Sequence, residues 1–535
     1  MSVTTPKGAE LAVPGAVPFA TARAEVAEDR ARASTRGLIR GSALLLAGRV
    51  LSRGTNFLIQ ILTVRYLSMS DYGAFAYALS IVTLGQALAT FGLDRAITRF
   101  IPLYQERGDY PRVAGTLAMV VAVIVSLGLV IAVGFQLAAS RGHVVGTAET
   151  TALLVILIFL VPLQALDDLI IALFAVFADP RAIFVRRHVL APSLKLAVVV
   201  ALLLSGSSVA FLAAGYLAAS LVGVTAYLLV LVKAMRAHGL LAQLSLRRLC
   251  IPAAELLAFT MPLLMSNLVF IAIHLVTVLL LEHYRGLHDV AMYRAQQPFA
   301  AINQAVMVSF ATLFTPLATR LFARDERQAV NELYWRTAMW IAVLSFPIFA
   351  LTCSLAVPST RLLLGARYED SAILLALLSW GYYFNAALGF NGLTLKIYGR
   401  LRYVVVICLA TVVVSLVASL VLIPAYGVVG AAVATCVAMV VHNVFKQVGL
   451  RLGTGIDIFD WRYLRGYLVI VFCATALWLI EWAAQLPAYA SLILAGAAST
   501  AVFMANRRLL EVADTFPEML RWPLIRRVMK LAKAV

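Results

Sequence analysis

Long uninterrupted apolar runs are the feature that most constrains how this chain folds. A helix that crosses a bilayer needs about 20 mostly apolar residues, and fourteen stretches of the sequence meet that requirement. They are residues 42–64, 72–92, 113–138, 151–173, 189–205, 209–232, 256–281, 292–314, 337–357, 370–394, 402–423, 427–449, 464–483 and 487–505. Strands of a membrane β-barrel would alternate in hydrophobicity over about 10 residues, and these runs do not. The sequence therefore predicts an all-α polytopic membrane protein with about fourteen transmembrane helices.

Composition supports this fold class and excludes other kinds of protein. Hydrophobic residues make up 62% of the 535 residues and charged residues only 13%, whereas soluble domains are about half apolar and about a quarter charged. The net charge of +18 does not indicate a nucleic-acid partner, because the positive residues fall between the apolar runs. The five cysteines form neither a CxxC motif nor a Cys/His cluster, so no metal site and no disulfide framework is expected.

The distribution of positive charge predicts the orientation in the membrane. With the N-terminus in the cytoplasm, 35 of the 44 Lys and Arg residues lie in cytoplasmic segments, six in outer loops and three within spans. An excess of Lys and Arg in cytoplasmic loops is the usual rule for membrane proteins. An even number of spans then places both termini in the cytoplasm.

An internal repeat predicts the domain organisation. The stretch "NFLIQILTVRYLSMSDYGAFAYA" from Asn56 resembles "NLVFIAIHLVTVLLLEHYRGLHDVAMYRA" from Asn267, an offset of about six helices. Because six is even, both halves have the same topology, which predicts two six-helix bundles facing a central cavity. The predicted segments are a disordered cytoplasmic tail (1–36), an N-terminal lobe (37–233), a cytoplasmic linker (234–255), a C-terminal lobe (256–450), an extra helix pair (451–506) and an amphipathic basic cytoplasmic tail (507–535).

The first predicted helix carries a narrow polar stripe. Arg49, Arg53, Asn56, Gln60 and Thr63 fall within a sector of about 80° at the helical period. Placing a charge at the bilayer centre costs from about 2.5 to more than 10 kcal/mol, so such residues normally face a bundle interior or a wet cavity. In one interpretation the arginines line the cavity and attract an anionic substrate. In the other, the helix begins later and Arg49 reaches the cytoplasmic headgroups.

Five further polar residues within spans are candidates for binding substrate. Each has an alternative role: a helix–helix hydrogen bond, a satisfied buried histidine or a contact with lipid headgroups at the outer surface. The candidates are Gln86, Asn267, His274, Arg294 and Gln297.

Three other charges within or near spans have structural and functional interpretations. Asp167 and Asp168 could couple transport to protons, or could be neutralised by the arginine-rich segment that follows them. Lys195 either lines the lobe interior or extends to the inner headgroups.

The absence of catalytic signatures favours transport over catalysis. The sequence contains no G-x-x-x-x-G-K-[ST] motif for nucleotide hydrolysis, and no Ser/His/Asp or HExxH pattern. The outer loops are short. We therefore expect neither enzymatic activity nor a cofactor.

Three stretches resemble the polysaccharide (O-antigen and exopolysaccharide) flippases of the multidrug/oligosaccharidyl-lipid/polysaccharide (MOP) exporter superfamily. They are "YLSMSDYGAFAYALSIV" (66–82), "FGLDRAITRFIPLYQERGD" (91–109) and "IPAYGVVGAAVAT" (423–435). The resemblance covers roughly residues 37–450. It implies a flippase in the bacterial inner membrane that moves a polyprenyl-pyrophosphate-linked oligosaccharide to the outer leaflet. It also implies membrane lipids, a coupling ion (H⁺ or Na⁺) and a glycan polymerase as partners.

Other functions remain open from the sequence. A lipid II flippase has a similar substrate and a similar cationic cavity. A multidrug exporter of the same superfamily would need a membrane carboxylate in the first helix, where this chain has arginines and no acidic residue before Asp71. A membrane glycan polymerase or acyltransferase would need catalytic residues in an outer loop, and only Glu282–His283 and His288–Asp289 are candidates there.

Overall fold

The structure is a computed structural model that describes residues 44–45, 47–142, 147–176, 180–237, 239, 249–485 and 487–511. Nearly all of these residues are helical and none is in a β-strand, so the predicted all-α class is confirmed. The predicted tail 1–36 and the amphipathic part of the C-terminal tail lie outside the described residues.

The first half of the chain forms nine α-helices within the described residues. Ser68 begins the second helix by accepting a hydrogen bond from the Asp71 amide, and Asp109 begins the fourth in the same way through Arg112. A π-helical segment, Phe184–Leu190, connects the seventh helix to the eighth. The helices are α1 (47–66), α2 (Met69–Thr90), α3 (Leu93–Glu106), α4 (Tyr110–Ser140), α5 (Ala148–Leu157), α6 (Leu160–Val176), α7 (Pro180–Ile183), α8 (Ala191–Ser205) and α9 (Val209–Ala237).

The second half forms ten α-helices within the described residues, with short 3₁₀ or π-helical segments at several junctions. They are α10 (Ala253–Arg285), α11 (Leu287–Ala301), α12 (Ala305–Ala323), α13 (Arg327–Phe349), α14 (Ala356–Leu364), α15 (Ala372–Ala387), α16 (Asn391–Ile397), α17 (Leu401–Thr454), α18 (Leu464–Ala484) and α19 (Ala488–Asn506).

Eleven helical stretches of the described residues are long and apolar enough to cross a membrane. One of them contains most of α17, whose 54 residues would extend about 80 Å at 1.5 Å per residue, more than twice the thickness of the hydrocarbon core. Its backbone breaks at Gly427, where φ is 59° and ψ is −136°. The break separates two arms that correspond to the predicted spans 402–423 and 427–449. The exact count of fourteen stays a prediction.

The two halves of the chain meet along α2. This helix is buried along much of its length and packs against α10 and α11 as well as against α4 and α6 of its own half. One apolar core joins α1–α11 to parts of α14, α15 and α17, and a second is built from α12, α13 and parts of α15 to α19. Some of the polar residues of interest lie at the seam between the halves, and others lie within one half.

Candidate functional site

The two faces of α1 differ in their surroundings. Gly48 and Ser52 are buried and contact His188, whose Nδ1 lies 3.0 Å from the Ser52 hydroxyl. Arg49, Arg53 and Asn56 are exposed. Among the described residues, neither arginine forms an ion pair with a carboxylate. The structure therefore leaves two unneutralised guanidinium groups on one exposed face of a predicted membrane helix.

A polar cluster joins the two halves of the chain at the other end of α1. The Gln60 amide donates a hydrogen bond of 2.6 Å to the Tyr72 hydroxyl, and Arg294 lies close enough to Tyr72 to interact with it electrostatically. Arg294 donates a hydrogen bond of 2.6 Å to the side-chain oxygen of Gln297, which lies beside the Tyr382 hydroxyl. Three of the predicted site residues, Gln60, Arg294 and Gln297, are thus brought together.

The position of Arg294 corrects one expectation from the sequence. Residue 294 was expected at the start of its helix near the outer surface, but α11 begins at Leu287. Arg294 therefore lies about 10 Å further along the helix, is half-buried and contacts protein side chains. The sequence placed the start of this helix too late because its first turn, "LHDV", is polar.

Gln86 belongs to a group of charges inside the N-terminal half. Its amide donates a hydrogen bond of 2.7 Å to Asp168, while Asp167 forms an ion pair of 2.6 Å with Arg186. The Arg186 side chain is 4% exposed, so the arginine-rich segment does neutralise one of the two aspartates. Lys195 lines the same cavity of about 250 Å³ and lies 5.6 Å from the Tyr216 ring. Gln86 is therefore engaged in an intramolecular contact.

A smaller cavity of about 160 Å³ lies between α2, α3 and α10. Gln86 and Thr90 contribute to one side of it, and Leu263 and Ile271 of α10 contribute to the other. Asn267 and His274 belong to the same helix, but their side chains are outside the part of the chain that the structure describes. Their assignment to the site stays a prediction.

A cavity within the C-terminal half, mostly apolar but with several polar and cationic side chains in its lining, was missed by the sequence reasoning. It has a volume of about 480 Å³ and is lined by α12, α15, α16 and both arms of α17, including Lys396, His442 and Lys446. These lysines were counted as cytoplasmic loop charges. The signal that could have revealed the cavity is the adjacent polar pair His442 and Asn443, followed one helical turn later by Lys446 within an apolar run.

Catalytic and metal-binding clusters are not evident among the described residues. No group of three or more His, Cys, Asp or Glu side chains there is arranged to hold a metal ion. In the predicted outer loop, the His288 ring lies 3.5 Å from Asp289 and is 61% exposed, as expected for a solvated pair.

Comparison with known proteins gives the family. The sequence profile of the family described as "Polysaccharide biosynthesis protein" matches residues 38–322, which is more than half of the chain. The chain belongs to this family. A second profile, MatE, matches residues 262–421. None of the curated proteins compared with the chain matches it.

Solved structures share the fold at low sequence identity. The lipid II flippase MurJ, in an inward closed conformation, is 12% identical with a TM-score of 0.65, and the match covers 88% of this chain and 99% of that one. An inward-facing multidrug resistance MATE family transporter is 14% identical with a TM-score of 0.58, covering 74% and 94%. A MOP superfamily transporter from Pyrococcus furiosus is 13% identical with a TM-score of 0.51, covering 78% and 94%.

The family and the fold together define the general class. The chain is a multi-pass membrane protein of the MOP superfamily, whose members here are flippases and transporters. Membership in the matched family connects it with polysaccharide biosynthesis. The resemblance to polysaccharide flippases that the sequence indicated is confirmed at this level.

Proposed function

We propose that the chain is a flippase that moves a polyprenyl-pyrophosphate-linked oligosaccharide repeat unit from the inner to the outer leaflet of the bacterial inner membrane. Cell-surface or exported polysaccharide synthesis would use the product. A coupling ion, H⁺ or Na⁺, and a glycan polymerase partner belong to this proposal. So does the orientation with both termini in the cytoplasm.

The exposed arginine pair on α1 is the observation that carries the proposal. A pyrophosphate is anionic, and the planar guanidinium group of Arg pairs with phosphate oxygens through two parallel hydrogen bonds. Arg49 and Arg53 have no carboxylate partner among the described residues, so their donors remain available to a ligand. An anionic headgroup crossing a low-dielectric interior gains most from such unneutralised cations.

Contacts between the two halves support transport by rocking of the lobes. At the end predicted to be outer, Arg65 donates a hydrogen bond of 2.9 Å to the Leu363 carbonyl, and Arg367 donates one of 2.7 Å to the Val64 carbonyl. These polar contacts, together with part of the apolar packing of α2 against α10 and α11, would separate when the lobes rock. The lipid tail would stay in the bilayer while the headgroup crosses between the lobes.

The same cationic face bears on the rival functions. The substrate of a lipid II flippase also contains a polyprenyl pyrophosphate, so Arg49 and Arg53 suit that substrate equally well. The two flippase functions differ only in the glycan that is transported. An exporter of organic cations is disfavoured, because two unneutralised arginines on α1 repel a cationic substrate. A membrane enzyme would need a catalytic cluster, and the exposed His288–Asp289 pair provides none.

Reconstitution of the purified full chain in liposomes tests the proposal. The liposomes would contain a labelled polyprenyl-pyrophosphate oligosaccharide, and an external glycan-modifying enzyme would report its arrival in the outer leaflet. We expect rapid translocation by the wild type and a loss of at least about tenfold in Arg53→Ala, since a hydrogen bond between charged groups contributes about 1.5–3 kcal/mol. Arg402→Ala, which removes an exposed cation at the start of α17, serves as the matched control.

Each other outcome changes the assignment. Full activity of Arg53→Ala would leave the flippase function standing and make this arginine structural. Translocation of lipid II but of no other glycan lipid would move the protein to the lipid II branch. Ion-linked efflux of organic cations with no lipid translocation would overturn the proposal.

A further inference from the structure

The C-terminal cavity is built mainly from three consecutive helices, α15, α16 and α17, together with the start of α12. Its 480 Å³ falls within the range of about 300–1,000 Å³ that is typical of small-molecule sites. Tyr382 lines this cavity and also lies beside Gln297 of the polar cluster between the lobes. The cavity therefore adjoins the seam through which a headgroup would pass.

The cations of this cavity have no acidic partner. Lys396 and Lys446 line it together with His442, and its described lining contains no Asp or Glu. Neither lysine forms an ion pair within the described residues. Lys446 is half-buried, and placing a charge in such a position without a partner costs free energy. An anion in the cavity would remove that cost.

The lack of a side chain at Gly392 makes room for the long side chain of Lys446. A Cβ atom added to Gly392 would lie 3.2 Å from the Lys446 Cε atom and 3.3 Å from Nζ, closer than side chains usually pack. The His442 Nδ1 atom lies 2.9 Å from the Thr411 hydroxyl, which fixes the ring and leaves its other nitrogen without a partner among the described residues. The cationic end of the cavity is thus preorganised.

Neutral amides also contribute to the lining, beside its apolar side chains. Asn391 and Asn443 are bonded to each other at 3.2 Å and hold α16 against α17. Asn385 and Gln304 also line the cavity, and within the described residues their side chains make no hydrogen bond. Amides both donate and accept hydrogen bonds, so free amides beside unpaired cations suit a ligand that carries hydroxyl groups and a negative charge.

We propose that the C-terminal cavity binds an acidic sugar of the transported glycan, with Lys446 and Lys396 facing its carboxylate or phosphate and Asn385 and Gln304 facing its hydroxyl groups. The site is separate from the α1 arginines assigned to the pyrophosphate. This inference rests on the proposed flippase function and narrows its substrate class to anionic repeat units.

Matched glycan lipids test this selectivity in liposomes. Two polyprenyl-pyrophosphate trisaccharides would be compared that differ only in a terminal glucuronic acid or glucose. We expect the wild type to translocate the acidic lipid faster, and Lys446→Gln to slow it about tenfold with little effect on the neutral lipid. Lys446→Arg keeps the charge and should retain the preference, and Arg402→Gln removes an exposed charge outside the cavity. Equal wild-type rates for the two lipids, or equal slowing of both in Lys446→Gln, would overturn the proposal.

Direct binding separates failure of the site from failure of the flippase function. Calorimetry on the purified full chain would use a glucuronosyl disaccharide, its methyl ester, a sugar phosphate and inorganic pyrophosphate. We expect Lys446-dependent binding of the acidic sugars and none of the ester. Such binding without any lipid translocation would keep the site and reject the flippase. Stronger Lys446-dependent binding of inorganic pyrophosphate would reassign the cavity to the lipid headgroup and overturn the proposal.

Discussion

The charged side chains that bear on function fall into two groups that differ in their partners. Asp167 and Arg186 neutralise each other at 2.6 Å, and the guanidinium group also lies 5.5 Å from the Tyr227 ring. Arg53 and Lys446 have no acidic partner among the described residues. The first kind of charge holds helices together, whereas the second is available to a ligand. The two kinds should respond differently to substitution.

Asp167→Asn should destabilise the protein strongly. The substitution leaves the Arg186 guanidinium, 4% exposed, without its counter-charge, and breaking a buried pair in this way costs about 3–5 kcal/mol. Because Asp167 itself is 23% exposed, we expect the low end of that range. Thermal unfolding of the purified protein in detergent would measure it.

Asp325→Asn is the matched control for that measurement. Asp325 pairs with Arg327 at 3.2 Å, with the side chains 82% and 72% exposed, and such pairs contribute less than about 1 kcal/mol. Asn also tolerates the positive φ of 56° at this position. Equal losses of stability in the two variants would show that the Asp167–Arg186 pair has no special role.

The sequence predicted the site only where polar residues shared one helix. The stripe of Arg49, Arg53 and Asn56 was recognisable because one helical period relates its members, and the structure places all three on an exposed face. The C-terminal cavity was missed because Gln304, Asn385 and Lys446 come from three different helices. Only packing brings them together.

At the scale of single elements, α17 shows how helix boundaries follow from local chemistry. The apolar run is almost continuous from residue 402 to 449, and the boundary between the two predicted spans falls at Pro424 and Gly427. The structure breaks the helix at Gly427, with φ of 59° and ψ of −136°, a region that only glycine adopts at low cost. The start of α11 was predicted less well, although Gly286, with φ of 83°, stands directly before it.

Gly427→Ala should strain the turn between the two arms of α17. A side chain in this backbone conformation costs about 1–3 kcal/mol, and the added Cβ atom would lie 3.1 Å from Nε of Arg285. We therefore expect a lower melting temperature for Gly427→Ala.

Gly496→Ala in the interior of α19, where an added Cβ atom meets nothing within 4 Å, should instead stabilise the protein by about 0.5–1 kcal/mol. A Gly427→Ala variant as stable as the wild type would contradict this account.

At the scale of the whole molecule, contacts at both ends of the bundle hold the two halves together. Tyr104 donates a hydrogen bond of 2.9 Å to Glu255, and Arg99 lies 4.5 Å from the Phe259 ring, at the end predicted to be inner. At the opposite end, Arg65 and Arg367 bond to backbone carbonyls across the seam. Alternating access requires that the contacts at one end break while those at the other persist.

The backbones of α2 and α11 approach each other closely across the seam at Gly73 of α2. A Cβ atom added there would lie 2.0 Å from the carbonyl oxygen of Leu287, the first residue of α11, and this overlap can be relieved only if the two helices separate. Gly73→Ala should therefore favour a conformation that is open at the predicted outer end. A shift of about 1.4 kcal/mol changes the open population roughly tenfold.

Cysteine accessibility measures this opening. Ala291 lies one turn beyond Leu287 on the same face of α11 and is fully buried, so Ala291→Cys in a background without native cysteines should react slowly with an impermeant maleimide added outside. Gly73→Ala should accelerate the reaction about tenfold.

Arg367→Ala, which removes two hydrogen bonds across the seam without adding volume, should accelerate it less. Gly134→Ala, where the added Cβ atom meets open space, should leave the rate unchanged. Suppose that the Gly73→Ala variant folds normally and that its introduced thiol reacts no faster than in this control. The α2–α11 contact then does not close the pathway, and the closing contact lies elsewhere along the seam.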